Sequence, residues 1–386
     1  MERKRIYLSS PTMHGEEQAF VQSAFDTNWV APLGPNVDAF EKEMADYIGG
    51  GYAAALSAGT AAIHLAVILA GVKEGDVVFA QSLTFAASVN PACYEKAKPV
   101  FIDSEPDTWN MDPVALEKAF EKYPHPAAVI AVHLYGTPSK IDRIRDICKK
   151  HQVPLIEDAA EALGSSFKGQ KLGTFGDYGI LSFNGNKIIT SSGGGMLLCS
   201  DEAKIKRARF LATQARDPAR YYQHSTIGYN YRMSNVVAGI GRGQLLHLEE
   251  HKARKNEIYR QYKEAFADIE AKGYMKDRVV VVDGENWHHG VIGIVASRVT
   301  ERCGKPCMII SRGETEAKGS GRSIEGFSLF EAICACGDLL IKFGGHPMAA
   351  GITLKPENIE AFRKRLNQYA AEHFPQMPTQ TVTLDC

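Results

Sequence analysis

Short apolar segments alternate with helical patterns over residues 50–215. The apolar runs have the length of strands, and the stretches between them carry apolar residues at intervals of three and four, as amphipathic helices do. This alternation predicts a largely parallel sheet covered by helices on both faces. The predicted strands comprise residues 77–80, 99–102, 127–133, 154–156, 178–183 and 195–198.

Helical spacing also predicts helices on either side of this region. Residues 15–26, 36–47 and 204–214 form three of them, and residues 236–268 predict one long charged helix. Gly241 and Gly243 are the candidate position for a break in that helix, because glycine weakens a helix interior. Trp29, between the first two helices, is interpreted as a core residue.

Composition narrows the class of protein. The chain has 386 residues with 45% hydrophobic content, which suits two domains with ordinary cores, and a net charge of -1 gives no general attraction to nucleic acid or membranes. With no membrane-spanning run and no apolar signal core at the start, we expect a cytoplasmic protein.

The eight cysteines are expected to be reduced thiols. Four of them lack zinc-site spacing and are interpreted as small buried residues, and no metal site is predicted: Cys303, Cys307, Cys334 and Cys336.

The segment 181–196 contains a single lysine, Lys187, between two short apolar runs and beside glycines at 193–195. A lysine amine in a partly dry site attacks carbonyl carbons, and pyridoxal phosphate is the cofactor that most often uses one. The alternative is a solvated lysine in a hairpin.

Upstream, an apolar run ends in Asp158, at the edge of a predicted buried strand where ligands of α/β sheets bind. A carboxylate there can keep a pyridinium nitrogen protonated, and a helix N-cap is the alternative role.

A third segment, residues 54–66, predicts a strand, a turn at Gly59 and Thr60, and an alanine-rich helix. The free amides at the start of such a helix favour an anion, and small side chains allow it to approach closely. Phe85 follows a predicted strand and is either a stacking platform or a core aromatic. A phosphate turn, an aspartate and a lysine in this order indicate a pyridoxal phosphate site more specifically than any one of them does alone.

These segments resemble the DegT-type, fold-type I aminotransferases, which act on nucleotide-linked keto-sugars. The resemblance runs from Tyr7 to about Ala267, and within the family it is greatest to UDP-N-acetylbacillosamine transaminases. It is carried by Ala31-Pro-Leu-Gly34, Ile156-Glu-Asp-Ala-Ala-Glu-Ala-Leu-Gly-Ser165, Ser182-Phe-Asn-Gly-Asn-Lys-Ile-Ile-Thr190, Gln214-Ala-Arg216 and Gly228-Tyr-Asn-Tyr-Arg-Met-Ser-Asn235.

The resemblance implies pyridoxal 5'-phosphate as cofactor and a role for each matching residue. Lys187 would be the Schiff-base lysine and Asp158 the pyridinium partner, with Glu161 near the phenolic oxygen. Phe85 would stack on the ring, and the phosphate would be held by Gly59, Thr60 and Ser182, with Asn230 reaching it from the neighbouring subunit of a homodimer. Glutamate and a UDP-4-keto-6-deoxy-HexNAc sugar would be the substrates, for surface glycan synthesis. Related dehydratases carry histidine in place of the lysine, so Lys187 argues against that activity.

Past about Ala271 the chain resembles a different family, the DHH-associated C-terminal domain of RecJ-type single-strand exonucleases. Residues 279–298, 319–323 and 343–351 carry this resemblance, which extends through a helix over 356–374. The glycines permit close backbone approach, so phosphate or nucleic-acid candidates are Arg322, Gly344, Gly345 and His346; a core histidine is the alternative for His346. The metal-binding Asp-His-His motif of that family is absent from the sequence, and His288 and His289 are interpreted as capping and packing residues.

The fold expected is therefore α/β: an aminotransferase large domain over 1–268, followed by a small RecJ-like α/β domain over 272–386 that replaces the family's own small domain. The chain has the character of a chimera. One functional hypothesis is a sugar aminotransferase. The other is a module that binds single-stranded nucleic acid weakly, without its catalytic metal domain, in which the aminotransferase part is a scaffold.

Overall fold

The computed structural model describes residues 10–379, which form two compact units that divide along the chain between Lys252 and Ala253. Residues 1–9 and 380–386 lie outside the described residues. They include Cys386 and most of the segment 1–11, where no signal peptide is expected. The domain bounds of 1–268 and 272–386 stay predictions. Within residues 10–379, no helix has both the length and the apolar character needed to cross a membrane.

The first unit consists of a large sheet, a small hairpin and the helices around them. Its strands are β1 (Tyr52–Leu56), β2 (Val77–Gln81), β3 (Lys98–Ile102), β4 (Ala128–Val132), β5 (Leu155–Asp158), β6 (Ser166–Phe167), β7 (Gln170–Lys171), β8 (Tyr178–Ser182) and β9 (Gly195–Cys199). Its helices are α1 (Glu16–Asp26), α2 (Pro35–Ile48), α3 (Gly59–Leu69), α4 (Asn90–Tyr94), α5 (Pro113–Lys122), α6 (Ile141–His151), α7 (Glu202–Ala212), α8 (Asn235–Leu246) and the first residues of α9 (Leu248–Ala271), with short 3-10 turns at Ala86–Ser88 and Leu134–Gly136.

The large sheet is mostly parallel, as predicted. Its strand order is β1-β9-β8-β5-β4-β2-β3, in which β3, β2, β4, β5 and β8 run parallel and β9 runs antiparallel to both neighbours. Neighbouring residues of β1 pack on opposite faces: Ala54 and Leu56 lie in one core with α3, and Ala53 and Ala55 lie in another with α2. Because both faces are covered by helices, the strands are mostly apolar rather than alternating.

The helical segment predicted over 236–268 is broken, but not at its glycines. The break lies at His247, between α8 and α9, while Gly241 and Gly243 lie inside α8. Their small size serves packing: a Cβ at Gly241 would lie 2.7 Å from the ring of Phe40, and one at Gly243 would lie 2.6 Å from the backbone nitrogen of Glu17. These glycines therefore allow α8 to approach α1 and α2 closely.

The interpretation of Trp29 as a core residue is wrong. Half of its surface is exposed, and its indole Nε1 donates a hydrogen bond of 2.6 Å to the carbonyl oxygen of Leu33. The polar end of the indole thus stays paired within its own loop, and the apolar part is left partly open to solvent.

The second unit contains a five-stranded sheet of order β10-β11-β12-β14-β13. Its strands are β10 (Val280–Glu285), β11 (Cys307–Arg312), β12 (Ala317–Arg322), β13 (Leu340–His346) and β14 (Ala349–Leu354), and its helices after α9 are α10 (His289–Cys303), α11 (Leu329–Cys334) and α12 (Ile359–His373), with 3-10 turns at Tyr274–Lys276, Gly337–Leu339 and Pro356–Asn358. Val281 packs on one face against α12 and Val282 on the other against α10, so this sheet also has two apolar faces.

The cysteines of the second unit only partly match their prediction. All seven cysteines within residues 10–379 are free thiols. Cys307 and Cys336 are buried, as expected of small apolar residues, and Cys303 is half-buried. Cys334 is exposed, so its interpretation as a buried residue is wrong. It is the last residue of the short helix α11, where the chain returns to the surface.

We expect Gly243→Ala to destabilise the protein, although the same change in an open helix is stabilising by about 0.5–1 kcal/mol. The added methyl would overlap the backbone of Glu17, and overpacking of this kind costs about 1–3 kcal/mol. Thermal and urea unfolding of the purified variant measures the effect. Gly185→Ala is the control, because a Cβ there has no neighbour within 4 Å in the part of the chain that the structure describes. A Gly243→Ala protein more stable than wild type would contradict the role of this close approach.

Candidate active site

Seven of the predicted cofactor residues of the first unit line one cavity of about 610 Å³. The cavity lies beyond the carboxyl ends of β5 and β8 and beside the start of α3, which is where α/β sheets bind their ligands. The residues brought together there are Gly59, Thr60, Phe85, Asp158, Glu161, Ser182 and Lys187.

Asp158 ends β5 with its carboxylate buried at the floor of this cavity, where only 4% of the residue is exposed. Its Oδ2 accepts a hydrogen bond of 2.7 Å from the Ser88 hydroxyl, and its Oδ1 accepts one of 3.1 Å from the Ala160 amide. Burial raises the pKa of Asp158 above its ordinary value, because the charged form loses its hydration. A cation at this position would offset that cost, so Asp158 suits a protonated ring nitrogen.

Glu157, the neighbour of Asp158, has a structural role that sequence reasoning missed. Its fully buried carboxylate accepts hydrogen bonds from His133 Nε2 at 2.8 Å and from the amides of Gly173, Phe175 and Gly176 at 2.5, 2.7 and 3.0 Å. The pairing satisfies a charge that would otherwise be costly to bury. Only its position beside Asp158 in an apolar strand marked it in the sequence.

Lys187 extends into the cavity from the turn that follows β8. Its Nζ lies 3.3 Å from Oε1 of Glu161, and its side chain is 16% exposed. The other carboxylate oxygen of Glu161 accepts a hydrogen bond of 2.7 Å from the Tyr135 amide. Glu161 therefore holds the lysine amine at the cavity, on the same side as Asp158, while remaining fixed itself.

The start of α3 provides an anion cradle. Ala58, the N-cap residue, supplies no side-chain cap, so the first amides of the helix are free for a ligand. A Cβ on Gly59 would lie 3.1 Å from Cβ of Ser182, which brings the Ser182 hydroxyl beside these amides. Gly195 of β9 crosses behind them: a Cβ there would lie 2.4 Å from the nitrogen of Gly59. Only glycine allows these backbones to pass so closely.

Phe85 is 79% exposed and lines the cavity, so the core interpretation is excluded and a stacking platform is what the geometry allows. Ser88, the last residue of the 3-10 turn that begins directly after Phe85, is the donor to Asp158. Sequence reasoning missed Ser88, since a serine after an aromatic residue carries no distinctive signal. Asn184, Asn186 and Gly194 also line the cavity without having been predicted.

Asn230 is not brought into this cavity. It is exposed and forms an isolated antiparallel bridge with Thr213. Its predicted reach into the site of a neighbouring subunit stays a prediction.

The phosphate candidates of the second unit lie on two strands, β12 and β13, which are separated in the sheet by β14. Arg322 of β12 and His346 of β13 both pair in register with Ala349 of β14, so their side chains share one face of the sheet. Arg322 donates to the carbonyl oxygen of Gly321 at 2.8 Å, and Nδ1 of His346 accepts from the Met348 amide at 3.3 Å. His346 is exposed, which excludes the core interpretation.

The nearby glycines shape the β13–β14 hairpin. A Cβ at Gly345 would lie 2.4 Å from the Ala349 carbonyl oxygen, whereas one at Gly344 would meet no atom of the described residues within 4 Å. His288 caps α10 through its Nδ1, which accepts from the Gly290 amide at 3.1 Å, as its capping interpretation expects. His289 begins that helix and lies in a polar cleft.

The residues of the cavity fit pyridoxal phosphate. The cofactor needs a lysine amine for covalent attachment, a carboxylate for its ring nitrogen and a site for its phosphate. Lys187, the buried Asp158 and the uncapped start of α3 offer these three groups around one space, and Phe85 offers an aromatic face.

Comparison with known protein families finds two matches along the chain. The model of the DegT/DnrJ/EryC1/StrS aminotransferase family matches residues 11–303, and the DHHA1 domain matches residues 276–372. The two matches overlap over residues 276–303. Both resemblances inferred from the sequence are thereby confirmed.

Individual relatives agree with this assignment. EpsN of Bacillus subtilis (strain 168), which is named as a pyridoxal phosphate-dependent aminotransferase, is 56% identical over 278 residues, covering 71% of this chain and 72% of EpsN. GDP-perosamine synthase of Caulobacter vibrioides is 40% identical, covering 69% of this chain and 71% of the synthase. The crystal structure of DesI in the presence of its TDP-sugar product is 30% identical with a TM-score of 0.62, covering 68% of this chain and 65% of DesI.

Aminotransferases of this family use pyridoxal phosphate, for which the cavity has fitting groups. The chain therefore belongs to the DegT/DnrJ/EryC1/StrS aminotransferase family, carries a DHHA1 domain in its C-terminal part, and is a transaminase whose cofactor is pyridoxal phosphate.

Proposed function

We propose that this chain transfers the amino group of glutamate to a UDP-4-keto-6-deoxy-HexNAc sugar, in the manner of UDP-N-acetylbacillosamine synthesis for surface glycans. The observation that carries the proposal is the convergence of the Lys187 amine, the Asp158 carboxylate and the uncapped start of α3 on one cavity. The choice of sugar rests on the motif resemblance over residues 156–165, 182–190 and 228–235.

Pyridoxal phosphate, when bound, supplies an electron-accepting ring that stabilises negative charge at the carbon from which a proton is removed. Asp158 would keep the ring nitrogen protonated, since its buried carboxylate gains a cationic partner there. Ser88 and the Ala160 amide would hold that carboxylate in place.

Lys187 would have two roles in turn. Its amine would form the covalent attachment, and after release it would carry a proton between the amino-bearing carbon of the substrate and the cofactor as a general acid and base. Glu161, 3.3 Å from the amine, would accept a hydrogen bond from it and keep it directed into the cavity. Phe85 would cover one face of the ring and exclude water from it, while the amides of Gly59 and Thr60, with the Ser182 hydroxyl, would hold the phosphate.

The proposed nucleotide of the sugar is UDP. One relative is named as a GDP-perosamine synthase and one solved relative is described with a TDP-sugar product, so relatives differ in their nucleotide. We therefore test the UDP-sugar against GDP- and TDP-linked 4-keto-6-deoxy sugars.

Incubated with glutamate, the purified protein should aminate the UDP-linked keto-sugar fastest, as measured by mass spectrometry of the product. Lys187→Ala should remove this activity and also the cofactor adduct that borohydride reduction traps on the wild-type protein. The physical reason is that alanine has no amine for attachment or proton transfer. Lys168→Ala is the control, because Lys168 is an exposed lysine that pairs with Asp142 away from the cavity.

Two outcomes would separate the parts of this proposal. A trapped cofactor adduct in Lys187→Ala protein would show that another lysine is used. Faster amination of a GDP- or TDP-linked sugar would leave Lys187 in its role and overturn only the UDP assignment.

The Asp158→Asn variant should have opposite effects on stability and activity. Because burial raises the folded-state pKa of Asp158, its ionised form weakens the cofactor-free fold above that pKa, and the penalty disappears as the pH falls toward the unfolded value. Cofactor-free Asp158→Asn should thus be more stable than wild type at neutral pH, with the difference shrinking in acid. The reaction with glutamate should slow by about 10²–10³-fold, the usual loss for a preorganised electrostatic partner.

Thermal unfolding between pH 4 and pH 8 and single-turnover absorbance with glutamate measure the two effects. Ser88→Ala is the matched variant, because it removes one hydrogen bond from Asp158 and leaves the carboxylate. An Asp158→Asn enzyme with wild-type turnover would argue that Asp158 is only a structural residue.

We also propose a homodimer in which Asn230 of one subunit reaches the phosphate held by its neighbour, an arrangement that rests on the resemblance of residues 228–235. A neutral amide can donate to a phosphate oxygen across a two-fold interface. The DHHA1 domain would take the place of the small domain in this assembly, and a cytoplasmic location stays a prediction.

For the second unit, we propose at most weak binding of single-stranded nucleic acid and no nuclease activity. Arg322 and His346 share a sheet face, but the described histidine, cysteine and acidic side chains that lie close enough to hold a metal ion together are all in the first unit. Hydrolysis of a phosphodiester without a metal-bound hydroxide would leave the barrier almost unchanged.

Short single strands should therefore bind in a salt-sensitive manner that Arg322→Ala weakens, with no release of mononucleotides in manganese or magnesium. Fluorescence anisotropy and a nuclease assay on protein freed of contaminants measure both, with Arg365→Ala as a surface-arginine control on α12. Manganese-dependent mononucleotide release that disappears in His346→Ala would overturn this interpretation of the domain.

A further inference from the structure

Three histidines, none of which lines the cofactor cavity, meet where the segment before α1 lies against the α8–α9 junction. His14 stacks on His247, with ring centroids 3.7 Å apart and planes at 5°, and its centroid lies 5.0 Å from that of His251. His14, His247 and Glu250 each offer one ligand atom, and these atoms all lie within 4.8 Å of one another. Imidazole and carboxylate are the donors that zinc and related divalent ions prefer.

The distance between His14 and His251 suits a shared metal. Their Nε2 atoms are 3.3 Å apart. Two ligands of a tetrahedral ion with bonds of about 2.0–2.1 Å are separated by about 3.3–3.4 Å. Two ring nitrogens that already stand at this spacing need little movement to bind one ion.

The opposite nitrogens of these two rings face acceptors, as in known metal sites. Nδ1 of His251 lies 2.9 Å from the carbonyl oxygen of Ile188, to which it can donate, and this leaves its Nε2 with a free lone pair. Nδ1 of His14 is buried without a hydrogen-bond partner among residues 10–379, and Oε1 of Glu17 lies 3.5 Å from it. Metal-binding histidines usually donate their second N–H to a carbonyl or carboxylate, which orients the ring and makes the ligand nitrogen more basic.

The surroundings of His14 are fixed before any ion binds. Glu17 accepts hydrogen bonds from the amides of His14 and Gly15 at 3.1 and 2.8 Å and from Gln244 Nε2 at 2.6 Å. This pairing ties the His14 backbone to α8, three residues before His247. His247 itself is held by carboxylates, with Nε2 at 3.1 Å from Glu16 and Nδ1 at 3.2 Å from Glu250. Its side chain is 22% exposed, so the ring has room to turn one nitrogen toward the ion.

We propose that His14, His247 and Glu250, with His251 beside His14, form a binding site for one zinc-like divalent transition-metal ion. The ion would join the segment before α1 to the α8–α9 junction. The ion would also be linked to the turn that carries Lys187, because His251 can donate a hydrogen bond to the carbonyl oxygen of Ile188, the next residue. The site is independent of the identity of the sugar substrate.

Equilibrium dialysis of chelator-treated protein against zinc chloride, followed by metal analysis, tests the site. Wild type should bind one zinc per chain that His14→Ala lacks or binds at least about tenfold more weakly, since even loss of a supporting partner costs about 10–100-fold. His247→Gln should weaken binding in the same way while keeping a polar side chain. The control is His125→Ala, an exposed loop histidine that should leave zinc binding unchanged.

Two further measurements separate zinc bound by the histidine cluster from zinc bound by cysteine thiols or by the unfolded chain. With cobalt in place of zinc, nitrogen and oxygen ligands should give visible bands without the near-ultraviolet charge-transfer bands of thiolates. Added zinc should raise the melting temperature of wild type and of His125→Ala but not of His14→Ala, as binding to the folded state requires. Equal zinc content in wild type and both site variants, each folded by circular dichroism, would overturn the proposal and leave a hydrogen-bonded histidine cluster.

Discussion

The buried carboxylate of Glu157 holds together the region from which the cofactor cavity is built. It accepts hydrogen bonds from His133, which directly follows β4, and from three backbone amides of residues 173–176 before β8, so segments next to three parallel strands share one acceptor. Adjacent residues of a strand point to opposite faces, so anchoring Glu157 on one face directs Asp158 to the other. A charge removed from water without such partners would cost several kcal/mol. The position of the candidate catalytic carboxylate therefore depends on a neighbour that never touches the cavity.

Much of the first unit could be predicted because its physics is local. Strands covered on both faces are mostly apolar, and this property located β2, β3, β4, β5, β8 and β9 to within about two residues. Asp158 was predicted at the carboxyl end of a buried strand, where ligands of α/β sheets bind, and β5 does end at Asp158. The family resemblance then supplied the chemistry that spacing alone left open.

What could not be predicted depends on contacts between distant parts of the chain. Gly241 and Gly243 look like a helix break in the sequence, and only the positions of Phe40 and Glu17 reveal them as packing contacts. Ser88 acts on a carboxylate 70 residues away. His14 and His247 are even further apart in the chain, and no short-range pattern brings their stacked rings together. Cys334 is exposed because a short helix ends there, which its spacing from Cys336 does not indicate.

The close crossing of Gly195 and the Ala58–Gly59 peptide bears on the cost of ligand capture. A phosphate loop that is free to move must lose conformational entropy when it closes on its anion, and that loss reduces affinity. Here β9 is paired with β1 and lies directly behind the first amides of α3, so these amides have little room to move. The first amides of α3 are therefore already ordered in the folded protein, and the anion binds to a preformed surface. A larger residue at position 195 would thus harm binding by displacing the cradle, even though its own side chain would touch no ligand.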